Sequence, residues 1–597
     1  MAITERIQHL RTEMEKREMD AYMIPSDDYH QSEYVGNYFR AREYISGFTG
    51  SAGTVVVGLD WAGLWTDGRY FIQAEQQLTG SGIELFRAGE DGVPTIEEYL
   101  AEKLPENGCV GFDGRVIARS KGEELQKALS EKRIRLQYEE DLIDLIWTDR
   151  PAMSKHAVYL LDEKYAGESA ASKLARVREA MKEAGAAMHL SASLEEIAWL
   201  YNLRGNDVAY TPVVLAYTLI RENDAVLFID EDKLDAGIRA YLEELGVTVK
   251  AYDSVYEYVR MLDQAIGILL DPKHLNEMLY RSIPNTIPKI EADNPMILMK
   301  AKKNPVEIEN TKNAYIKDGV ACVKFLYWLK KNVASEHITE ITAADKLEAL
   351  RRQQDGCLDL SFSTIAGYQE HGAIVHYGAT PETDKELKPE GMILVDSGGH
   401  YLEGTTDITR TVILGPVPEE QKIHYTAVLR SMLDLAMTKF LYGCTGAGLD
   451  IVAREPLWEL DLDYRHGTGH GVGYLLSVHE GPTAFRWEKG GSPQNQPALE
   501  AGMIITDEPG VYIEGSHGIR IENQLVVKMG VKNEYGQFME FENITKTPID
   551  LDGVIPEMLT PKERNYLNQY HKNVYDTVSP FLNVEEKVWL KEYTREI

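Results

Sequence analysis

Two apolar runs in the second half of the chain end directly in acidic residues. Residues 392–395 (MILV) are followed by Asp396, and residues 503–506 (MIIT) by Asp507 and Glu508. Short runs of this composition are typical of buried strands. A carboxylate at the end of a buried strand is costly unless a cation lies beside it. The sequence therefore predicts a region of buried strands that carry acids to one charged site.

Two further acids belong to the same pattern. The glycines after Asp396 predict a hairpin whose return strand begins near Asp407, so the two carboxylates would face each other across paired strands. At that distance they would repel unless cations lay between them. Residues 518–522 (GIRIE) alternate, which places Arg520 and Glu522 on one side. Taken singly, each Asp also fits a surface turn and Glu522 a salt bridge with Arg or Lys.

Three histidines lie close together among glycines: His466, His470 and His479. A strand or a glycine-rich turn here would aim His470 at the acids. A phosphate-binding loop fits poorly, because no lysine follows the glycines and no strand-to-helix junction is evident. Two Asp, two Glu and one His offer four oxygen donors and one nitrogen, which suits a pair of hard divalent cations such as manganese better than a lone zinc.

The first 304 residues predict two similar α/β domains, because each begins with a helix followed by a buried strand. Residues 19–24 and 185–190 would correspond, which indicates an internal duplication. Thr4 is the predicted N-cap of the first helix. The helices are predicted at 4–17, 121–131, 169–183 and 194–203, and the strands at 21–25, 54–57, 64–70, 110–113, 187–190, 213–220 and 225–229.

The remainder of the chain predicts a third domain. A Pro-, Lys- and Asn-rich linker is expected over 284–304, and a long helix over 306–331 with Pro305 just before it. The tail, 561–597, has the apolar spacing of two helices. The predicted domains are 1–150, 151–304 and 305–597, the last with a helical extension from about 555.

Charge and cysteine usage exclude several functional classes. The net charge of -32 disfavours nucleic acid and anionic membranes as partners. The four cysteines lie far apart, with no zinc-knuckle or redox spacing, which fits a reducing compartment. The N-terminus has no signal-peptide apolar core, and no run of about 18 apolar residues occurs. We expect a cytoplasmic protein that does not bind membranes.

The motifs resemble the pita-bread metallopeptidase family, which includes methionine aminopeptidase, prolidase and aminopeptidase P. The resemblance is closest to the long, three-domain cytosolic aminopeptidase P (Xaa-Pro aminopeptidase) and covers nearly the whole chain. It implies two related N-terminal creatinase-like α/β domains followed by a C-terminal pita-bread catalytic domain, in a chain of mixed α/β and α+β class. The segments that carry it are 30–34 (HQSEY), 46–54 (SGFTGSAGT), 65–71 (WTDGRYF), 196–205 (EIAWLYNLRG) and 303–307 (KNPVE).

The resemblance also implies roles for individual residues. The metal ligands would be Asp396, Asp407, His470, Glu508 and Glu522. By the same match Glu508 would shuttle the proton. Substrate binding and catalysis would further involve His376, His466 and His479, while Tyr512 and Arg520 would orient the metal ligands.

The implied activity is removal of the N-terminal residue from peptides with proline in second position. Two Mn²⁺ per subunit, with Co²⁺ or Zn²⁺ as substitutes, would lower the pKa of a shared water so that hydroxide attacks the Xaa-Pro bond. The preference for proline comes from the resemblance alone. The partners expected are a peptide substrate and a second copy of the chain in a homodimer.

Three alternatives stay open at this point. A prolidase would cleave only dipeptides, but prolidases usually lack the two-domain N-terminal extension. A creatinase-like hydrolase would lack the metal ligands. A catalytically silent binding module would have lost ligands and carry a basic patch. The five intact residues and the net charge of -32 argue against the last two.

Overall fold

The computed structural model describes residues 1–263, 266–487 and 496–597. The chain forms two compact units. The first comprises residues 1–162 and 168–297, and the second comprises 163–167 and 298–597. Every predicted site residue lies in the second unit. Among the described residues, no helix combines the length and the apolarity needed to cross a bilayer.

The first unit begins with a six-stranded sheet in the order β4-β3-β2-β1-β5-β6. The strands β1 to β6 are Ala21–Pro25, Thr54–Gly58, Ala62–Thr66, Glu84–Arg87, Cys109–Phe112 and Arg135–Gln137. The helices α1 to α6 are Ile3–Glu15, Ala41–Ser46, Phe71–Gln77, Ile96–Lys103, Arg119–Leu129 and Leu142–Ile146.

The second part of this unit repeats the same topology in the order β12-β11-β10-β8-β13-β14. Each pair of neighbouring strands has the same relative direction as its counterpart in the first sheet. The predicted duplication is therefore confirmed. The strands β7 to β14 are Tyr159–Leu160, Met188–Ser191, Leu203–Arg204, Ala216–Arg221, Ala225–Ile229, Val247–Lys250, Ile268–Leu270 and Lys289–Glu291. The helices α7 to α12 are Glu163–Ala166, which belongs to the second unit, and Ala170–Glu183, Leu194–Tyr201, Ala236–Glu244, Val255–Arg260 and Glu277–Ser282.

Both faces of the first sheet are covered by apolar side chains. Along β1, Tyr22 and Ile24 pack with the apolar face of α1, whereas Ala21 and Met23 pack with α5 on the other side. Alternate residues of a strand point to opposite faces, so an all-apolar strand such as β1 requires a helix on each side.

The HQSEY motif links the two sheets of the first unit. Asp28 accepts hydrogen bonds from the backbone N–H of His30 and of Ser32. The His30 ring lies within hydrogen-bond distance of the Ala192 carbonyl at 2.8 Å and of the Tyr252 hydroxyl at 2.7 Å. His30 is buried, so this motif stabilises the packing of the two repeats.

The second unit is built from antiparallel sheets flanked by long helices. Its sheets have the orders β15-β18-β19, β16-β17-β20, β21-β28-β27-β24-β22-β23 and β25-β26. The strands β15 to β28 are Cys357–Leu360, Ile365–Tyr368, Met392–Ser397, Gly399–Tyr401, Gly404–Thr405, Ile408–Ile413, Phe440–Leu441, Gly469–Gly471, Glu480–Phe485, Ile504–Asp507, Gly510–Ile513, His517–Arg520, Asn523–Asn533 and Gly536–Asn543. The helices α13 to α19 are Pro295–Ala301, Pro305–Asn332, Glu340–Arg351, Glu419–Ala436, Gly446–Trp458, Pro561–Val578 and Val584–Tyr593.

The long helix α14 begins with three favourable residues. Asn304 is the N-cap, and its side chain accepts from the backbone N–H of Val306 and Glu307. The Glu307 side chain returns a bond to the Asn304 backbone, which completes a capping box. Pro305 is the first helical residue, where its missing N–H has no consequence.

Three sequence predictions need correction. The first helix begins at Ile3 with Ala2 as N-cap, so Thr4 lies inside it. The linker predicted over 284–304 contains the strand β14 and the helix α13, because its prolines start or precede these elements rather than interrupt them. The strand predicted from Val213 begins at Ala216. The two helices predicted in the tail are confirmed as α18 and α19.

Candidate metal centre

Three of the predicted ligands meet at one point of the second unit. Asp396 lies on β17, Asp407 directly precedes β20, and Glu522 lies between β26 and β27. One carboxylate oxygen of each lies within 4.8 Å of those of the other two. All three side chains are buried. The antiparallel pairing of β17 with β20 aligns Asp396 with Thr409, which places Asp407 beside Asp396 as the hairpin prediction required.

His470 and Glu508 complete the group. The Nε2 atom of His470 lies 3.4 Å from Asp407 Oδ2 and 3.4 Å from Glu508 Oε1. Its Nδ1 atom lies 2.9 Å from the Gly471 carbonyl oxygen, so Nδ1 carries the hydrogen and donates it there. With Nδ1 as the donor to Gly471, Nε2 faces the two acids and is the nitrogen that would bind a metal ion after losing its proton. We call Asp396, Asp407, His470, Glu508 and Glu522 the five-residue cluster.

A glycine allows the histidine strand to approach the acids closely. The backbone N–H of Glu508 donates to the Thr468 carbonyl at 2.7 Å, which joins the end of β24 to the glycine-rich segment. A Cβ atom on Gly469 would collide with the Thr506 carbonyl oxygen. Glycine is therefore required at 469 for the His470 side chain to reach the acids.

The electrostatics show that the cluster lacks positive charge. Burial raises the pKa of Glu508 to about 7, and it raises that of Glu522 well above its usual range, with the charges of Asp407 and Glu508 adding to the effect. Burial alone would lower the pKa of His470, but hydrogen bonding to Asp407 and the charge of Glu508 outweigh it and raise that pKa to about 9. Burial and neighbouring like charges raise the pKa of an acid, whereas neighbouring acids raise that of a histidine.

Two oxygen atoms of the cluster have no hydrogen-bond donor among the residues that the structure describes. They are Oδ1 of Asp396 and Oε1 of Glu522, and both are buried. Buried carboxylate oxygens in proteins are nearly always paired, either with donors or with metal ions. Four oxygen-bearing side chains and one imidazole form a donor set that hard divalent cations accept. The residues present therefore fit a metal site.

Arg520 and Tyr512 connect the cluster to His466. Arg520 Nη2 donates to Asp396 Oδ2 at 2.7 Å, and Arg520 Nη1 donates to the Tyr512 hydroxyl at 2.7 Å. The Tyr512 hydroxyl lies 2.8 Å from His466 Nε2. Because His466 Nδ1 faces the Gly467 carbonyl at 2.7 Å, Nε2 accepts the tyrosine hydrogen. The chain of bonds holds Asp396 and His466 in fixed relative positions.

The other two predicted histidines also lie near the cluster. The ring of His479 contacts the ring of His470 edge-on, with centroids 4.3 Å apart. His376 follows Val375, whose carbonyl accepts from the same Arg520 Nη2 atom at 3.3 Å. Both histidines are half-buried. The structure thus joins nine of the ten predicted site residues through direct contacts and brings the chain at Val375, next to His376, to the same place.

The sequence analysis missed two threonines that orient the acids. Thr409 donates from Oγ1 to Glu522 Oε2 at 2.8 Å and accepts from Arg520 Nε at 3.2 Å. Thr506 donates to Glu508 Oε1 at 3.1 Å. Each threonine lies two positions along the chain from an acid of the cluster, Asp407 or Glu508. The alternation of strand side chains could have identified them, because residues two apart on a strand face the same side.

Comparison with known proteins places these observations in a family. The Creatinase/Prolidase N-terminal domain matches residues 6–144 and again, in a related form, residues 149–307. Metallopeptidase family M24 matches residues 309–529, and the C-terminal region of that family matches 537–597. A relative from Dictyostelium discoideum, Xaa-Pro aminopeptidase 1, is 40% identical over 99% of this chain and 96% of its own length. The chain belongs to the Xaa-Pro aminopeptidase family.

Solved structures of Xaa-Pro aminopeptidases and their relatives agree with this assignment. The X-prolyl aminopeptidase of Caenorhabditis elegans, called a cytosolic enzyme with a di-nuclear active site, is similar over 100% of both chains, with a TM-score of 0.96 and 33% identity. The prolidase of Pyrococcus horikoshii OT3 is similar over 64% of this chain and 99% of its own, with a TM-score of 0.50 and 25% identity. The predicted fold class, two creatinase-like domains followed by a metallopeptidase domain, is confirmed.

Proposed function

We propose that this protein removes the N-terminal residue from peptides whose second residue is proline, and that the five-residue cluster binds two divalent metal ions. The observation that carries the proposal is the group of buried acids whose oxygen atoms converge without enough protein cations beside them. The substrate class comes from the relatives, because this chain matches Xaa-Pro aminopeptidases over nearly their whole length.

The charge of the cluster favours two ions over one. Among the residues that the structure describes, one guanidinium, that of Arg520, contacts its four carboxylates. If all four ionise, the carboxylates, Arg520 and the hydroxide that the proposed reaction requires sum to a charge of -4, which two divalent cations neutralise, whereas one leaves -2. The di-nuclear active site of the C. elegans relative supports this number. We propose manganese as the native metal because oxygen donors dominate, with cobalt or zinc able to replace it.

The protein's own groups perform the remaining chemistry. The metal ions, when bound, would supply the nucleophile by lowering the pKa of a water molecule. Glu508 lies at the cluster and would carry the water's proton to the leaving nitrogen. That nitrogen belongs to proline and has no hydrogen of its own, so it must gain one to leave as an amine. His376 and His479 would bind substrate and stabilise the oxyanion that develops on its carbonyl.

His466 would also bind substrate, and Tyr512 holds its ring in place. Its Nε2 atom is occupied by the Tyr512 hydroxyl, so its ring is fixed against the chain of bonds that ends at Asp396. A substrate that contacts the His466 ring would therefore meet a side chain whose position is fixed relative to Asp396. Tyr512 and Arg520 would orient these groups. Arg520 contacts the predicted ligand Asp396, and Tyr512 contacts the predicted substrate-binding residue His466.

We also propose the wider setting of the enzyme. The domain boundaries lie near 150 and 304, with a helical extension from about 555, and the ranges of the family matches support them. Four free cysteines and a relative called cytosolic support a cytoplasmic location.

The six-stranded sheet of the second unit has β21 and β23 at its edges, which supports a homodimer in which such edges are covered. The net charge of -32 argues against nucleic acid and membrane partners.

A digest of a peptide library in the presence of Mn²⁺, with the second residue varied, tests the activity. We expect release of the first residue only where proline is second. Cleavage of Arg-Pro-Pro together with Arg-Pro would agree with the aminopeptidase. Cleavage restricted to the dipeptide would instead indicate a prolidase.

Elemental analysis tests the metal assignment. The wild-type protein should hold two Mn²⁺, and His470→Ala should hold fewer, because His470 Nε2 is the one nitrogen donor of the cluster. Unchanged stoichiometry in His470→Ala would refute its assignment as a ligand.

A further inference from the structure

The segment that carries His376 is held by one buried carboxylate, Glu340. Glu340 is the first residue of α15 and is fully buried. Its two oxygens accept hydrogen bonds from the loop 368–385 and from the strand end before it. The donors are Tyr368 N at 2.8 Å, Lys385 N at 3.1 Å, His371 Nδ1 at 2.8 Å and the Tyr377 hydroxyl at 2.9 Å.

These contacts make Glu340 a fixed point for the loop. The carboxylate lies in the first turn of α15, where the helix dipole favours a negative charge. Hydrogen bonds to a charged group are roughly twice as strong as those between neutral groups. The His371 ring packs on the Tyr377 ring at 4.5 Å, so two of the donors also support each other.

The loop is tied to the five-residue cluster on the opposite side of His376. The carbonyl of Val375 accepts from Arg520 Nη2 at 3.3 Å, and that nitrogen also donates to Asp396 Oδ2 at 2.7 Å. His376 therefore has one neighbour bound to the cluster through Arg520. Its other neighbour, Tyr377, is bound to Glu340 through its hydroxyl.

We propose that Glu340 is a positioning residue of the reaction, which holds His376 in its working place through Tyr377. The inference rests on the substrate role proposed for His376. A predicted substrate-binding side chain between two anchored neighbours keeps its backbone fixed while the peptide binds. A misplacement of about 1 Å in such a group is sufficient to reduce turnover about 100-fold.

A double-mutant cycle between Tyr377 and His376 tests the proposal. Tyr377→Phe removes only the hydroxyl that reaches Glu340, and it should lower kcat/KM for Arg-Pro-Pro by about 10- to 100-fold. In a His376→Ala background the same substitution should cause no further loss, because the group that it positions is absent. Glu340→Gln should lower activity in the same way while Mn²⁺ stoichiometry stays at the wild-type value.

Tyr368→Phe is the matched control. Tyr368 is the first residue of the same loop, but its hydroxyl donates to the Glu390 carbonyl at 2.9 Å and makes no bond to Glu340. We expect Tyr368→Phe to leave kcat/KM within about twofold of wild type, with the same small factor in the His376→Ala background.

The outcomes separate the inference from the proposed function. If His376→Ala lowers activity but Tyr377→Phe adds its full factor in that background, the positioning role of Glu340 is wrong and the proposed function stands. If His376→Ala has wild-type activity, the substrate role of His376 is wrong and the inference is overturned with it. An equal loss in Tyr368→Phe and Tyr377→Phe would show a general effect of loop stability, which also overturns the inference.

Discussion

Two groups of buried charges in the second unit show opposite ways to place carboxylates in a protein interior. In one, Asp318 and Arg351 form a pair in which Arg351 Nε and Nη2 donate to the two Asp318 oxygens at 2.8 and 3.1 Å. Tyr401 adds a third donor at 3.0 Å. In the other, the five-residue cluster, two buried carboxylate oxygens have no donor in the described part of the chain.

The difference lies in where the compensating charge comes from. The pair carries its own cation, so the charge of Asp318 is compensated whatever else is bound. The cluster has four acids and, in the described part of the chain, one adjacent guanidinium, so its stability depends on ions from solution. A buried acid is therefore a candidate functional residue when its carboxylate lacks donors, rather than merely because it is buried.

The largest expected effect comes from the cluster. Glu508→Gln keeps the shape of the side chain but removes the charge and the proton acceptor. We expect kcat for Xaa-Pro peptides to fall by about 10²- to 10⁴-fold, with a circular dichroism spectrum and melting temperature close to wild type. Asp318→Asn should show the reverse, a lower melting temperature with the chemical step retained. Near-wild-type turnover in Glu508→Gln would remove Glu508 from the proton-transfer role.

Breaking the pair should give the next largest effect. Arg351→Met leaves the Asp318 carboxylate buried without its cation, and the free energy of unfolding measured in urea should fall by about 3–5 kcal/mol. The double variant Asp318→Leu/Arg351→Met should recover most of that loss, because neither charge remains. A loss below about 1 kcal/mol in the single variant would show that the pair is not the structural counterpart of the cluster.

The smallest effect is a pH dependence that metal should abolish. With the pKa of Glu508 at about 7, the folded metal-free protein keeps a proton that the unfolded chain releases above 4.5. His470, with a pKa of about 9, likewise keeps its proton beyond 6.5. The folded state thus binds more protons, and its stability falls as pH rises from about 4.5 to 9.

Thermal melts of chelator-treated protein at pH 5, 7 and 9 measure this effect. We expect the melting temperature to decrease across the series without metal. With saturating Mn²⁺ the decrease should vanish or reverse, because the ligands must lose their protons to bind the ion. A flat metal-free profile would contradict the charge imbalance in the cluster.

Local patterns in the sequence were sufficient to predict much of this protein. The strands β1 and β17, the helices of the tail and the acids at strand ends all follow from short-range periodicity. The pairing of β17 with β20 confirmed the hairpin that brings Asp396 and Asp407 together, since glycines and strand alternation act within about a dozen residues. The errors lay at Thr4, at the start of the strand predicted from Val213 and at the predicted linker, where prolines precede or begin new elements.

The sequence by itself determined which family the chain belongs to and predicted which residues carry the chemistry, because motifs of this length and order occur together in that family. Only the tertiary structure decided their contacts: Arg520 on Asp396, 124 positions away in the chain, Tyr512 on His466, 46 positions away, and Tyr377 on Glu340, 37 positions away. The physical reason is that sheet register and side-chain packing bring such residues together, and neither is encoded in the periodicity of a single segment.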